Sequence, residues 1–309
     1  MTDAVAIARI LLTGNLLHER QNNIRSVSWE KRLKCLSFYF AAGGVDRLHA
    51  MMPRSGSHWS ELGLSLAIDL ANGGTGEYTL AGDLYMPTGG FKFKRLDWRG
   101  AYGSWDAEFT KAFGSGSIGK HLYWHSRLPY HRIRSGRLKK MKIVVLMRSI
   151  VVSIAAQFLK QGRDKGKWDV VLKDADAVDW ESLVAQSIEF CNSWGEVMRW
   201  HPNIRLYKYE DLVNNPIAGH REILDFWGFD VPEECIAEAF RRVTPEEMKN
   251  RMTPDRGRAV HRVPTDVENS EVVLPENLKH KIIDRLQGEL IHDFGYQYNH
   301  DTEFDCSSI

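Results

Sequence analysis

Cysteine is scarce and scattered in this chain. Cys35, Cys191, Cys235 and Cys306 make no Cys-x-x-Cys pair and no cluster with histidine. That excludes a structural zinc centre and points to reduced thiols in a cytoplasmic protein. No plausible set of metal ligands is found elsewhere, so no metal is expected. A surplus of either charge is also missing. With 41 Lys+Arg against 40 Asp+Glu, the chain has no broad basic face for nucleic acid, although a local basic patch fits the balance. No apolar run approaches the ~20 residues needed to span a bilayer, and the N-terminus lacks the layout of a secretory signal. No transmembrane segment is therefore expected, which leaves open a Golgi-type enzyme lacking its anchor. Internal repeats and long linkers are absent. The 309 residues suffice for one large α/β domain or two small ones with a substantial core.

The rest of the chain is organised around Met51-Met52-Pro53-Arg54-Ser55-Gly56-Ser57-His58-Trp59. A short apolar-leaning run from Val45 to Met52 precedes it. A helical pattern follows, with Leu62, Leu66 and Leu70 on one face. A strand, a tight turn and a helix start together make an anion site. The free amides of the first turn point outward, and the helix dipole adds about half a positive charge. Gly56 allows close approach of the backbone, Ser55 and Ser57 add hydroxyls, and Arg54 adds a permanent charge. The stretch asks for a phosphate or sulfate group, although a serine-rich turn capping an ordinary helix would carry the same residues.

Pro53-Arg54-Ser55-Gly56-Ser57-His58-Trp59 resembles the 5′-phosphosulfate loop of the sulfotransferases that use 3′-phosphoadenosine 5′-phosphosulfate (PAPS), where the pattern is Pro-Lys/Arg-Ser-Gly-Thr/Ser-x-Trp. The resemblance puts Arg54 at the family's catalytic lysine and Trp59 at an aromatic that stacks on adenine. It makes Arg54, Ser55, Gly56, Ser57, His58 and Trp59 the cradle of the 5′ end of the donor.

Before this loop, residues 1–45 read as helical and carry no chemistry. After it, residues 77–120 mix glycines, aromatics and charges, and read as a surface-loop region that either forms an acceptor-binding wall or is pinned by its own aromatics. Gly114 to Lys120 fits the Gly-x-x-x-x-Gly-Lys part of a nucleotide phosphate loop, but His121 stands where a magnesium-binding Ser or Thr is required. The segments on either side also have the wrong element types for such a loop. Leu122 to Leu128 reads as a strand, and His125-Ser126-Arg127-Leu128-Pro129 resembles the family's Lys-Thr/Ser-His-Leu-Pro strand end. Alignment on Leu128-Pro129 puts Arg127 at the family's catalytic histidine, with His125 two residues before it on the same strand face. His125 is the candidate base, since a histidine titrates near neutrality and suits proton removal from a hydroxyl. His58 and an acidic residue outside any motif remain as alternatives.

Met141 to Met147 is a continuous apolar run of the kind that forms a buried parallel strand. Arg148-Ser149 and an apolar helix over 150–159 follow. This resembles the family's second signature, whose Arg and Ser hold the 3′-phosphate of PAPS. The family's Asp-Pro is missing, and Ser153 follows Arg148 sooner than usual, so either the turn is shortened and Ser153 serves or Ser149 takes the role. Trp168 to Asp179 reads as a polar loop, and an amphipathic helix is expected over 180–200. Asn203 to Leu212, ending Tyr209-Glu210-Asp211-Leu212, then Pro216 and a helix closing on Gly228, resembles the family's strand, proline and helix in order and spacing. The family's tyrosine there borders the nucleotide, which implicates Tyr209. Helices are expected over 233–243 and 245–252. Arg256-Gly257-Arg258 resembles the Arg-Lys-Gly loop that closes over the 3′-phosphate, and a solvated charge run is the alternative. Pro275 to Phe294 is expected as a final helix.

The resulting expectation is an α/β fold. Three layers, α/β/α, surround a central mainly parallel sheet of P-loop-like sulfotransferase architecture, with the anion loop at the carboxyl edge. The divisions are a helical extension over 1–45, the α/β domain over 46–297 and a tail over 298–309. The resemblance implies sulfuryl transfer from PAPS, without a metal, to a hydroxyl or amine on a small-molecule or carbohydrate acceptor. A PAPS-binding homologue without turnover, or a nucleotide phosphotransferase, would be the alternatives.

Overall fold

The computed structural model describes residues 47–52, 55–81, 84–87, 94–97, 121–125, 141–164, 179–244, 247 and 274–302. The expected helical extension, Arg54, the Gly114–Lys120 stretch, the 168–178 loop and Arg256-Gly257 lie outside the described residues.

Among the described residues five strands make one sheet in which every pairing is parallel: β1 (Arg47–Met51), β4 (Lys94–Asp97), β5 (His121–His125), β6 (Lys142–Met147) and β7 (Ile204–Lys208), in the order β4-β5-β1-β6-β7. β2 (Tyr78–Ala81) and β3 (Leu84–Pro87) form a separate antiparallel pair. Residues 77–120 are therefore not all surface loop, since this stretch supplies a hairpin and an edge strand of the main sheet. Their four-residue runs are too short to stand out from the surrounding glycines and charges.

Alternation along β1 and β6 divides the apolar side chains between two cores. Leu48, Ala50, Ile143, Val145 and Met147 enter one core with α2 (Ile150–Asp164), α3 (Trp180–Met198) and α7 (Glu276–Glu289). Met51, Val144 and Leu146 enter the other with α1 (Ser57–Ala71), α5 (Pro216–Trp227) and α6 (Glu233–Arg242). Helices therefore cover both faces of the sheet, which is the three-layer α/β arrangement and explains why β6 is apolar on both faces from Ile143 to Met147.

Local signals set the helix limits. Asp179 caps α3 by accepting from the Ser182 amide at 3.0 Å. Pro216 opens α5, and Gly228, at φ 80°, closes it. The Gly228 amide donates to Asp225 and the Phe229 amide to Leu224, both at 2.9 Å, in a Schellman arrangement. The final helix ends at Glu289, five residues before the expected limit. Asn192 of α3 causes the break: its Nδ2 donates to the Glu289 carbonyl at 2.9 Å, while its Oδ1 accepts from the Ile291 and His292 amides. That side chain gives the backbone an alternative to another helical turn. Tyr298, at the start of the expected tail, is buried against the first core, so packing continues past residue 297.

Candidate functional site

All of the described candidate residues lie at the carboxyl edge of the sheet, because each follows or ends a parallel strand. The anion loop follows β1, His125 ends β5, Arg148-Ser149 follows β6 and Tyr209 follows β7. The edge is formed at a topological switch, since β1 sits between β5 and β6 and the chain leaves it toward both sides.

In the first loop Gly56 adopts φ 74°, a left-handed conformation that turns the chain from β1 into α1. Ser55 is fully buried. Its amide donates to the Met52 carbonyl at 3.1 Å and its hydroxyl to the same carbonyl at 2.7 Å. The Ser55 hydroxyl hydrogen therefore holds the turn closed and is not a free donor to a ligand. The N-cap is Gly56, which has no side chain to cap α1, so among the described residues no cap occupies the first-turn amides, which suits them to an anion.

Trp59, on the first turn of α1, is partly buried. It meets three rings edge-on: Tyr209 at 6.0 Å, His220 at 5.1 Å and Phe240 at 5.2 Å between centroids. His220 is fixed from both sides. Its Nδ1 lies 2.7 Å from the Pro216 carbonyl, and its Nε2 lies 3.0 Å from Ser60 Oγ. A carbonyl only accepts, so Nδ1 carries the hydrogen and Nε2 accepts from the serine. Burial pushes the His220 pKa down to about 3, against the raising effect of the Pro216 bond, so the ring is neutral.

The second signature is buried: Arg148, Ser149 and Ser153 are each less than a tenth exposed. The Arg148 guanidinium lies 4.4 Å from the Tyr209 ring centroid. Ser149 immediately precedes α2, and its carbonyl accepts the Ser153 amide at 2.9 Å. The hydroxyls of Ser149 and Ser153 are buried with no hydrogen-bond partner among the described residues. Both therefore remain able to bond an incoming group.

Tyr209 joins the two signatures, with Gly56 and Trp59 on one side and Arg148 on another. Burial raises its phenol pKa against the lowering pull of Arg148. Its motif does not continue the strand as expected, because β7 stops at Lys208 and Tyr209 opens the short helix α4 (Tyr209–Asn214).

Several neighbours carry no sequence signal of their own. Glu210 accepts the Ser149 amide at 3.3 Å through Oε1 and the Tyr296 hydroxyl at 2.7 Å through Oε2. The Tyr298 hydroxyl oxygen accepts the Ile150 amide at 3.1 Å. The strand register pairs Asp97 with His125, which places an acid next to the candidate base along the edge. Among the described residues no His, Cys, Asp or Glu cluster is suited to a metal, and no helix is long and apolar enough to cross a membrane.

Residues 120–272 match the family model for the sulfotransferase domain. The match includes His125, Arg148, Ser149, Ser153, Tyr209, Arg256 and Gly257, and begins after the anion loop. Sulfotransferase 1A1 of Rattus norvegicus is 30% identical over 116 residues, covering 36% of this chain and 39% of that protein's length. Sulfotransferase 1A1 of Bos taurus is 30% identical over 121 residues, covering 37% and 40%. The chain thus matches about two fifths of the length of these curated relatives. Among solved structures, mouse sulfotransferase SULT7A1 complexed with PAP aligns over 80% of this chain and 82% of that one, at 18% identity and a TM-score of 0.41. On the family model and the curated relatives together, the segment over 120–272, just under half of the chain, is similar to the sulfotransferase domain.

Proposed function

We propose that this chain moves a sulfuryl group from PAPS to a hydroxyl or amine acceptor. The observation that carries the reading is the pair of buried hydroxyls on Ser149 and Ser153, which have no partner among the described residues and lie one helical turn apart, next to Arg148. A buried polar group without a partner costs about 1–3 kcal/mol, so two in one turn argue for a ligand that satisfies them. A phosphate accepts from hydroxyls and pairs with a guanidinium, so these three residues fit the 3′-phosphate of PAPS.

On this reading PAPS supplies the activated sulfuryl group and the chain holds both ends of it. Arg54, Gly56 and the first-turn amides of α1, with Ser57 and His58 alongside, take the 5′ end. Trp59 faces the adenine, Tyr209 borders it, and Arg256-Gly257 closes over the 3′-phosphate. Arg54 and the α1 amides neutralise the charge that grows on the bridging phosphate oxygen as its bond to sulfur breaks. His125 takes the proton from the acceptor hydroxyl or amine, with Asp97 in register beside it. The acceptor is a small molecule or a carbohydrate.

The test begins with melting curves. Adenosine 3′,5′-bisphosphate should raise Tm without magnesium, whereas stabilisation only by ATP with magnesium would replace this reading with a phosphotransferase. Labelled-sulfate transfer to a panel of phenols, sugars and alcohols follows. Turnover on any acceptor, lost in Arg54→Ala, supports the enzyme. Tight nucleotide binding with no transfer would support a binding protein, a reading favoured by the absence of Asp-Pro after Arg148.

A further inference from the structure

Ser60 and His220 are both fully buried in the helical layer whose core includes Leu62, Leu66, Ile223 and Phe240. An apolar pair of similar bulk would fill that place without desolvating two polar groups, so packing alone does not call for them. They form instead a chain of hydrogen bonds that ends at the anion turn. The His220 ring donates through Nδ1 to the Pro216 carbonyl at 2.7 Å, which fixes it to the start of α5. Its Nε2 accepts from the Ser60 hydroxyl at 3.0 Å, and the Ser60 amide donates to the Gly56 carbonyl at 3.1 Å. Directional bonds thus tie the first turn of α1 to a second helix.

The same ring sets the orientation of Trp59. His220 lies 4.0 Å from Phe240 between centroids, at 32° between planes, and Trp59 stands at 82° to His220 and 70° to Phe240. Phe240 in turn rests against the α1 backbone at Gly63, where a methyl group would overlap the ring. The indole is therefore oriented by a stack whose central ring is held from both sides. A serine bonded to a histidine is also the arrangement of an activated nucleophile. Neither residue reaches solvent here, so the pair does no chemistry on a substrate.

We infer that His220, acting through Ser60, is a positioning residue for the 5′ half of the donor: it holds the first turn of α1 and the Trp59 ring in the geometry that receives adenine and the 5′-phosphate. The inference rests on the proposed PAPS reading, and His220 acts without touching the nucleotide.

Calorimetric titration of the full chain with adenosine 3′,5′-bisphosphate and with adenosine 5′-phosphate, beside melting curves, tests it. Both nucleotides carry the adenine and the 5′-phosphate, so both should lose affinity together. The decisive variant is the double substitution Ser60→Ala with His220→Leu, which removes both polar groups and leaves neither orphaned. Its Tm should stay near that of the wild type, since replacing both partners by apolar groups is nearly neutral. Affinity for both nucleotides should nevertheless fall about three- to tenfold, the scale of one hydrogen bond that no longer selects the competent geometry. Ser60→Ala alone cuts the link while keeping the ring, and should show the same loss. His220→Gln, whose amide oxygen can accept from Ser60, should keep most of the affinity. Ser65→Ala removes another buried serine bond of α1, to the Glu61 carbonyl at 2.7 Å, and serves as the control with unchanged affinity. Wild-type affinity in the double variant and in Ser60→Ala would overturn the inference. So would an affinity loss that tracks a large fall in Tm, in the double variant and His220→Gln alike, because that is a packing role. A wild-type chain that binds neither nucleotide would overturn the PAPS reading and this inference with it, a result distinct from the other two.

Discussion

The Gly56 α-carbon lies against the edge of the Tyr209 ring, so close that a methyl group on it would overlap Cε2 and Cδ2. The turn after β1 and the helix start after β7 therefore fit each other only when position 56 has no side chain. Gly56 also sits at φ 74°, where an L side chain costs about 1–2 kcal/mol before any clash is counted. Gly56→Ala should lower Tm by about 3–6 °C, the shift expected for roughly 1.5 kcal/mol in a large domain. It should also weaken nucleotide binding, because the loop and Tyr209 move apart. A melting curve and a titration check both outcomes, and an unchanged Tm would show that the ring yields freely.

Ser149 and Ser153 should respond in opposite directions to two measurements. Their hydroxyls are buried without partners among the described residues, so Ser149→Ala and Ser153→Ala each remove a desolvated group that contributes nothing to the unliganded fold. Stability without ligand should hold or rise by up to about 1 kcal/mol. Affinity for adenosine 3′,5′-bisphosphate should fall about three- to tenfold per hydroxyl, with adenosine 5′-phosphate unaffected. Urea unfolding without ligand and titration with both nucleotides test this. A clear loss of stability in either variant would mean that the hydroxyl already has a partner.

Trp59→Leu separates a packing role from a stacking role. The indole lies among Tyr209, His220 and Phe240 but is only partly buried. Base stacking is worth roughly 1–3 kcal/mol by truncation, so bisphosphate affinity should fall about 10- to 100-fold. Calorimetry beside a melting curve checks it, with only a modest fall in Tm expected. A large loss of Tm with unchanged affinity would make Trp59 a core residue.

His220 predicts a pH dependence of known sign. Burial holds its pKa at about 3 in the fold against the ordinary histidine value of 6.5, so the folded ring stays neutral while the unfolded one takes up a proton on acidification. The unfolded state binds more protons in that window, and stability therefore falls as pH drops from 6.5 toward about 3. The slope attributable to this one ring approaches about 1.4 kcal/mol per pH unit, and nothing is contributed above the unfolded pKa. Urea unfolding at pH 7 and pH 5 should show a smaller difference in His220→Gln than in the wild type. The same difference in both would mean that His220 charges within the fold.

The sequence made β1, α1, β6 and α2 readable because two signals coincide in each strand-to-helix pair: an apolar run, and a chemistry-bearing turn at its end. The Pro216-to-Gly228 helix was equally plain, since both its limits are residue types with a fixed backbone role. β4 was missed because an edge strand of four residues has no periodicity to detect. Glu210 was visible only as a letter in Tyr-Glu-Asp-Leu, and its partner Tyr296 lies 86 residues away, just past the end of the expected final helix. No local pattern marks such a pair, because it exists only once two distant segments pack together. The same holds for His220, which reads in sequence as one polar residue of an amphipathic helix.

The position of β1 bears on which part of this chain can fold alone. The segment matched by the family model begins at residue 120 and contains β5 and β6, yet those strands do not pair with each other. β1 lies between them, bonded to both. A fragment cut to the matched boundaries would leave two strands without their shared neighbour, one of them the apolar β6, with an exposed hydrogen-bonding edge that invites aggregation. Assembly of the sheet also has to wait for a strand made early in synthesis to be enclosed by strands made much later, a non-local order of events that slows folding. Expression of the domain therefore has to begin upstream of Arg47, and fragment boundaries drawn from sequence similarity alone would yield insoluble protein.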